Sequence, residues 1–126
     1  MAAMSSTITP QGILSVCEIG SSNFSDLKLN GKTKLIYLHE IQDPGNAGTI
    51  LRSADAMGID AVITSPGSVD MYSPKVVRAT AGSLWHVPLF TGITLSQLNE
   101  QLPSVAKIAL SAQGEKSLLD VKELPD

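Results

Sequence analysis

The chain is short of cysteine, of net basic charge and of long apolar runs, and each shortage excludes something. A single cysteine in 126 residues, Cys17, rules out an internal disulfide and fits a reducing compartment. It closes the short apolar run 13–17, which predicts a buried structural thiol. The two histidines, His39 and His86, stand apart from each other and from Cys17, with no ligand spacing that would hold zinc, so no metal site is expected. No apolar stretch approaches the roughly 18 residues of a membrane span, and residues 1–6 carry no basic region followed by an apolar core. Together these features predict a cytoplasmic protein without a membrane partner. The formal net charge of −3 argues against a nucleic-acid binder driven by a global basic field. There is no internal repeat and no low-complexity tract.

What is present is a composition of 43% hydrophobic and 17% charged residues, enough at this length for one domain with a sizeable core. Residues 1–33 are rich in Ser, Thr, Gly and Pro and read as a linker or N-terminal extension, with a short strand at 13–17 and a helical turn near 24–29. From residue 34 the pattern regularises. Strands are predicted at 34–39, 60–64, 86–90 and 105–110, and helices at 46–57, 73–81 and 94–102. Ser73 with Pro74, and Thr94, mark helix starts; Gly58, Gly82 and Pro103 mark helix ends. This alternation predicts an α/β fold, a parallel Rossmann-like sheet with helices on both faces, over residues 34–126.

The most informative segment is 43–58, Asp-Pro-Gly-Asn-Ala-Gly-Thr-Ile-Leu-Arg-Ser-Ala-Asp-Ala-Met-Gly. It follows the apolar run 35–38, so the order is strand, polar turn, helix. In α/β folds ligands bind at that end of the sheet. Pro44 fixes its own φ, Gly45 permits the change of direction, and Asn46 is predicted to cap the helix. Ala47, Ile50, Leu51, Ala54 and Met57 recur at helical spacing, and Arg52 stands off the centre of that stripe. A second segment, 72–89, contains Ser73-Pro74-Lys75-Val76-Val77-Arg78-Ala79-Thr80-Ala81-Gly82. Taken by themselves, Arg52, Lys75 and Arg78 are either solvated helix cations or a small basic patch on an acidic body.

Together the two segments resemble the SpoU/TrmH family of RNA ribose 2′-O-methyltransferases, in the SPOUT superfamily. The family pattern DPxNxGxxxRxAxAxG is matched at every fixed letter from Asp43 to Gly58, and SPKvvRaSaGalfhvPv is matched from Ser73 to Leu89, with Thr80 for the usual Ser and Trp85 for the usual Phe. Residues 9–16 are similar to the linker that precedes the family's catalytic domain. The resemblance implies S-adenosylmethionine as methyl donor, an RNA substrate (tRNA or rRNA) and a homodimer. It implies that Arg52 serves the reacting hydroxyl, that Asn46 holds the turn or the substrate, and that Lys75 and Arg78 contact RNA. The family's GnEgxG and SLN segments, which form most of the donor pocket and the C-terminal knot, have no counterpart here. The chain therefore reads as the front part of a SPOUT α/β-knot domain, with Ser111, Ala112 and Gly114 as its candidate donor contacts. The alternative is a catalytically inactive piece that folds, dimerises or contacts RNA. A flavodoxin-like phosphate module has only the Gly-rich turn in its support, since neither GxGxxG nor a Walker pattern occurs.

Overall fold

The computed structural model describes residues 9, 12, 13, 15–20, 22–111, 113, 114, 117 and 120. Its centre is a parallel sheet of three strands in the order β1 (Leu35–Leu38), β2 (Ala61–Thr64), β3 (Leu89–Phe90). Leu35 pairs with Ala61 and Val62 with Leu89. Three helices connect and cover the strands: α1 (Pro44–Ala56), α2 (Pro74–Thr80) and α3 (Leu95–Gln101).

Strand alternation divides the core in two, because successive side chains point to opposite faces. Ile36, Leu38, Val62 and Leu89 meet Ala47, Leu51, Ala54 and Val76 of α1 and α2. Leu35, Tyr37, Ala61, Ile63 and Phe90 meet Leu98 and Leu102 around α3 on the other face. β2 is buried at all four positions, as a central parallel strand must be. Phe24, in a 3-10 turn at Phe24–Asp26, packs edge-on against Phe90, so the stretch before residue 34 contributes to the core. Helices on both faces of a parallel sheet are the predicted architecture.

Four local expectations are corrected. The third strand begins at Leu89, because a 3-10 turn at Ser83–Trp85 occupies the preceding stretch and Pro88, which has no N–H, enters the ladder only by accepting from Val62 N at 2.9 Å. Residues 105–110 form no strand: Ile108 and Leu110 are exposed, whereas a parallel strand needs both faces covered, and Lys107 Nζ donates to the carbonyls of Leu102 and Val105. The described residues of 13–17 also carry no strand. Ile13 and Val16 are 85% and 90% exposed and Cys17 is exposed, so the buried thiol is not found; a short apolar run whose described residues have no pairing partner buries little. Ser73 stands at the start of α2 as expected, yet its buried hydroxyl makes no cap bond and no other bond.

Candidate active site

The segment after β1 is locked to the segment after β2. Ser65 N donates to Leu38 O at 3.0 Å, Val69 N to Ile41 O at 2.7 Å, and Glu40 N to Ser65 Oγ at 2.7 Å. Gln42 Nε2 donates to Gly67 O at 2.6 Å. These bonds hold Glu40 at φ 48°, a left-handed conformation that is uncommon without glycine, at the carboxyl end of the sheet.

Helix α1 starts two residues earlier than predicted, and its cap lies three residues earlier. Asp43 is the cap, its Oδ1 accepting from Asn46 N at 2.7 Å, and Pro44 occupies the first helical position. The choice is physical: Pro loses nothing where the N–H has no helical partner, and a carboxylate suits the positive end of the helix dipole. Asn46 is thereby relieved of capping. Its side chain is exposed and makes no hydrogen bond among the described residues. The helix closes with the bonds of a Schellman motif, Ile59 N to Ala54 O and Gly58 N to Asp55 O, with Gly58 at φ 64°.

Gly48 explains why the motif carries a glycine in mid-helix. A Cβ there would lie 2.4 Å from Ala79 Cβ and 2.8 Å from the Ala79 carbonyl carbon, so α1 and α2 cross backbone to backbone at this point. Arg52 lies one turn past the crossing, exposed, and forms no hydrogen bond or ion pair among the described residues. Asn46 is about 9 Å from it along the axis and about 120° around the helix, so α1 does not bring the two together. Lys75 sits one turn before Ala79 on α2 and is exposed. Arg78 lies next to Ala79 and is engaged in an interaction of its own.

Two groups that sequence reading did not connect lie beside Arg52. His86 Nδ1 is 3.0 Å from Asp55 Oδ2, and the Ser83 hydroxyl also bonds the Asp55 carboxylate. The Ser83 bond first, and His86 second, hold the Asp55 carboxyl below its ordinary range. The only sequence signal was the spacing of Asp55 three residues after Arg52; the partners lie some thirty positions on and meet it only in the fold. His39, the other candidate histidine, stacks on Tyr37 with ring centroids 6.3 Å apart.

The candidate donor contacts are at the far end of the chain. Gly114 N donates to Ser111 O at 3.0 Å and Gln113 N to Ser111 Oγ at 3.2 Å, which makes a turn whose Ser111 and Gly114 are both exposed. Ala112 lies outside the described residues. An open groove of about 670 Å³ runs between residues 22–25 and α3, on the sheet face opposite Arg52. Among the described residues no three His, Cys, Asp or Glu side chains converge as a metal site, and no helix is long and apolar enough to cross a membrane.

A parallel three-stranded sheet with helices on both faces, and a rigid polar turn where its first strand ends, places the chain in the α/β class, in which ligands bind at that end of the sheet. Within that class the chain belongs to the SpoU rRNA Methylase family, whose model matches residues 33–125. It is 36% identical over 114 residues to the 23S rRNA (guanosine(2553)-2′-O)-methyltransferase RlmP of Bacillus subtilis, covering 90% of this chain and 40% of that protein. It is 31% identical to the human mitochondrial rRNA methyltransferase 3, across 90% of this chain and 29% of that one. Among solved structures, an rRNA methyltransferase from Sinorhizobium meliloti superposes with a TM-score of 0.64 at 30% identity, covering 69% of this chain and 33% of its own. The SpoU methyltransferase AviRb of Streptomyces viridochromogenes superposes at 0.63 and 27% identity, covering 68% and 32%. Both have also been solved with AdoMet bound. The chain thus spans well under half the length of these relatives.

Proposed function

We propose that this chain takes part in methyl transfer from S-adenosylmethionine to the 2′-hydroxyl of a ribose in rRNA or tRNA. The observation that carries this reading is Arg52: an arginine in the motif helix, exposed and unpaired among the described residues, on the flank next to α2. Support comes from the 2′-O-methyltransferase activity of the RlmP relative and from the two neighbours solved with AdoMet.

A hydroxyl attacks a methyl carbon poorly until its developing charge is stabilised or its proton withdrawn. The donor, when bound, supplies a methyl group on a sulfonium leaving group, and one proton is released as the ether forms. A guanidinium is delocalised and keeps its proton in almost any setting. Arg52 therefore acts by orienting the hydroxyl or its neighbouring phosphate and by stabilising the incipient alkoxide. The Asn46 amide, free of capping, offers a donor and an acceptor to the substrate or to the turn. Lys75 and Arg78 lie where an RNA backbone crossing α2 would meet them. RNA as substrate, a homodimer as the assembly and the cytoplasm as compartment belong to the same proposal.

The exposed turn at Ser111 and Gly114 does not fit the donor, since pockets for such ligands bury most of the ligand surface. That observation favours a second reading, a folded module that dimerises or contacts RNA without turning over. Calorimetry of the 126-residue chain against millimolar S-adenosylmethionine separates the two. The module reading predicts no binding or weak binding. Micromolar affinity would discard it and place a donor pocket within this chain.

A further inference from the structure

Helix α1 carries only two charges, Arg52 and Asp55. Residues three apart on a helix are neighbours, so this arginine and this carboxylate are within reach of one another across less than a turn. They do not pair. Asp55 is turned instead to the 3-10 turn Ser83–Trp85 and the residue after it, where His86 Nδ1 lies 3.0 Å from its Oδ2 and Ser83 stands beside the carboxylate. Ser83 is buried and Leu84 beside it is anchored in the α1–α2 core, so the partners come from a fixed support and not from a loose loop.

We propose that His86, with Ser83, is a positioning residue for Arg52: by holding the Asp55 carboxylate, it keeps that carboxylate from pairing with the guanidinium. The inference rests on the reading of Arg52 as the group that serves the reacting hydroxyl, and it assigns that reading a requirement. An arginine that must meet an alkoxide or a phosphate has to be free of intrahelical competition. The histidine donates to the carboxylate from Nδ1 as an imidazolium or as the neutral Nδ1–H tautomer. His86 is mostly exposed, so its replacement removes its share of the hold without opening the core.

The test uses side-chain nuclear magnetic resonance on the purified chain, following the Arg52 Nε–Hε signal and rotation about its guanidinium bond. Wild type is expected to show a freely rotating, rapidly exchanging guanidinium. His86→Ala is expected to slow both, and Asp55→Asn combined with His86→Ala to restore them. Identical Arg52 behaviour in wild type and His86→Ala would overturn the proposal. Wherever methyl transfer is measurable, His86→Ala should lower kcat about twofold, the scale of one surface pair on a helix, and the double variant should recover it. A structural defect at residue 86 would not be repaired by the change at Asp55. Transfer that survives removal of Arg52 would sink the functional reading, while the resonance signals would still decide whether His86 holds Asp55 away.

Discussion

Gly48 shows how one residue type can obey tertiary packing against its own local preference. A glycine inside a helix costs about 0.5–1 kcal/mol relative to alanine, so Gly→Ala on an exposed helix stabilises. Here the added methyl would enter the Ala79 backbone, and overpacking of that kind costs about 1–3 kcal/mol. Gly48→Ala is therefore expected to destabilise by about 1–2 kcal/mol net, read from urea or thermal unfolding; a raised melting temperature would refute the close crossing. Asp55 makes a second prediction at this scale. Its folded pKa is depressed, so its contribution is complete above the unfolded value of about 3.9 and is lost as pH falls through the folded value. Stability of wild type should fall more steeply than that of Asp55→Asn below about pH 4, and parallel curves there would contradict the Ser83 and His86 bonds. Arg52 was legible from the sequence because its spacing from Asn46 and Gly48 is a motif. Asp55 with His86 was not, because nothing local marks a contact made across the fold.

At the scale of elements, α1 and the first two strands were read within a residue or two, since Pro44, Gly58 and the 3.6-residue periodicity punctuate them. The cap was misplaced because Asp43 and Asn46 are both good caps, and the Pro between them decides in favour of Asp43. Asp43→Ala should cost about 1 kcal/mol, the ordinary loss of an N-cap, and Asn46→Ala under about 0.5 kcal/mol. Equal losses in chemical unfolding would return the capping role to Asn46. The failures cluster where apolar runs are short. Residues 13–17 and 105–110 have strand-like composition but no neighbour to pair with in the structure, and composition alone does not supply a partner. The third strand was shortened by a 3-10 turn that hydropathy cannot distinguish from an extended run.

For the whole molecule, alternation of strand and helix was enough to give the three layers, and the family motifs single out α1 as the helix of the proposed site. What the chain leaves uncovered is a separate matter. Both outer strands of the described sheet have an open edge, and Met57 and Trp85, 75% and 61% exposed, lie at the end of α1 and beside His86. Light scattering coupled to size exclusion is expected to show self-association: one dimer peak stable to dilution if pairing is specific, broad concentration-dependent species if it is not. A sharp monomer at all concentrations would count against both. The central claim concerns Arg52, and mapping of 2′-O-methyl nucleosides tests it most directly. Cellular rRNA and tRNA would be compared between cells lacking the gene and cells complemented with wild type or Arg52→Ala, with melting temperatures of the two proteins measured alongside. Wild type is expected to restore a ribose methyl mark that Arg52→Ala does not, while the two melt alike to within about 0.5 kcal/mol, the usual cost of an exposed surface substitution. A mark restored equally by Arg52→Ala would remove Arg52 from the chemistry.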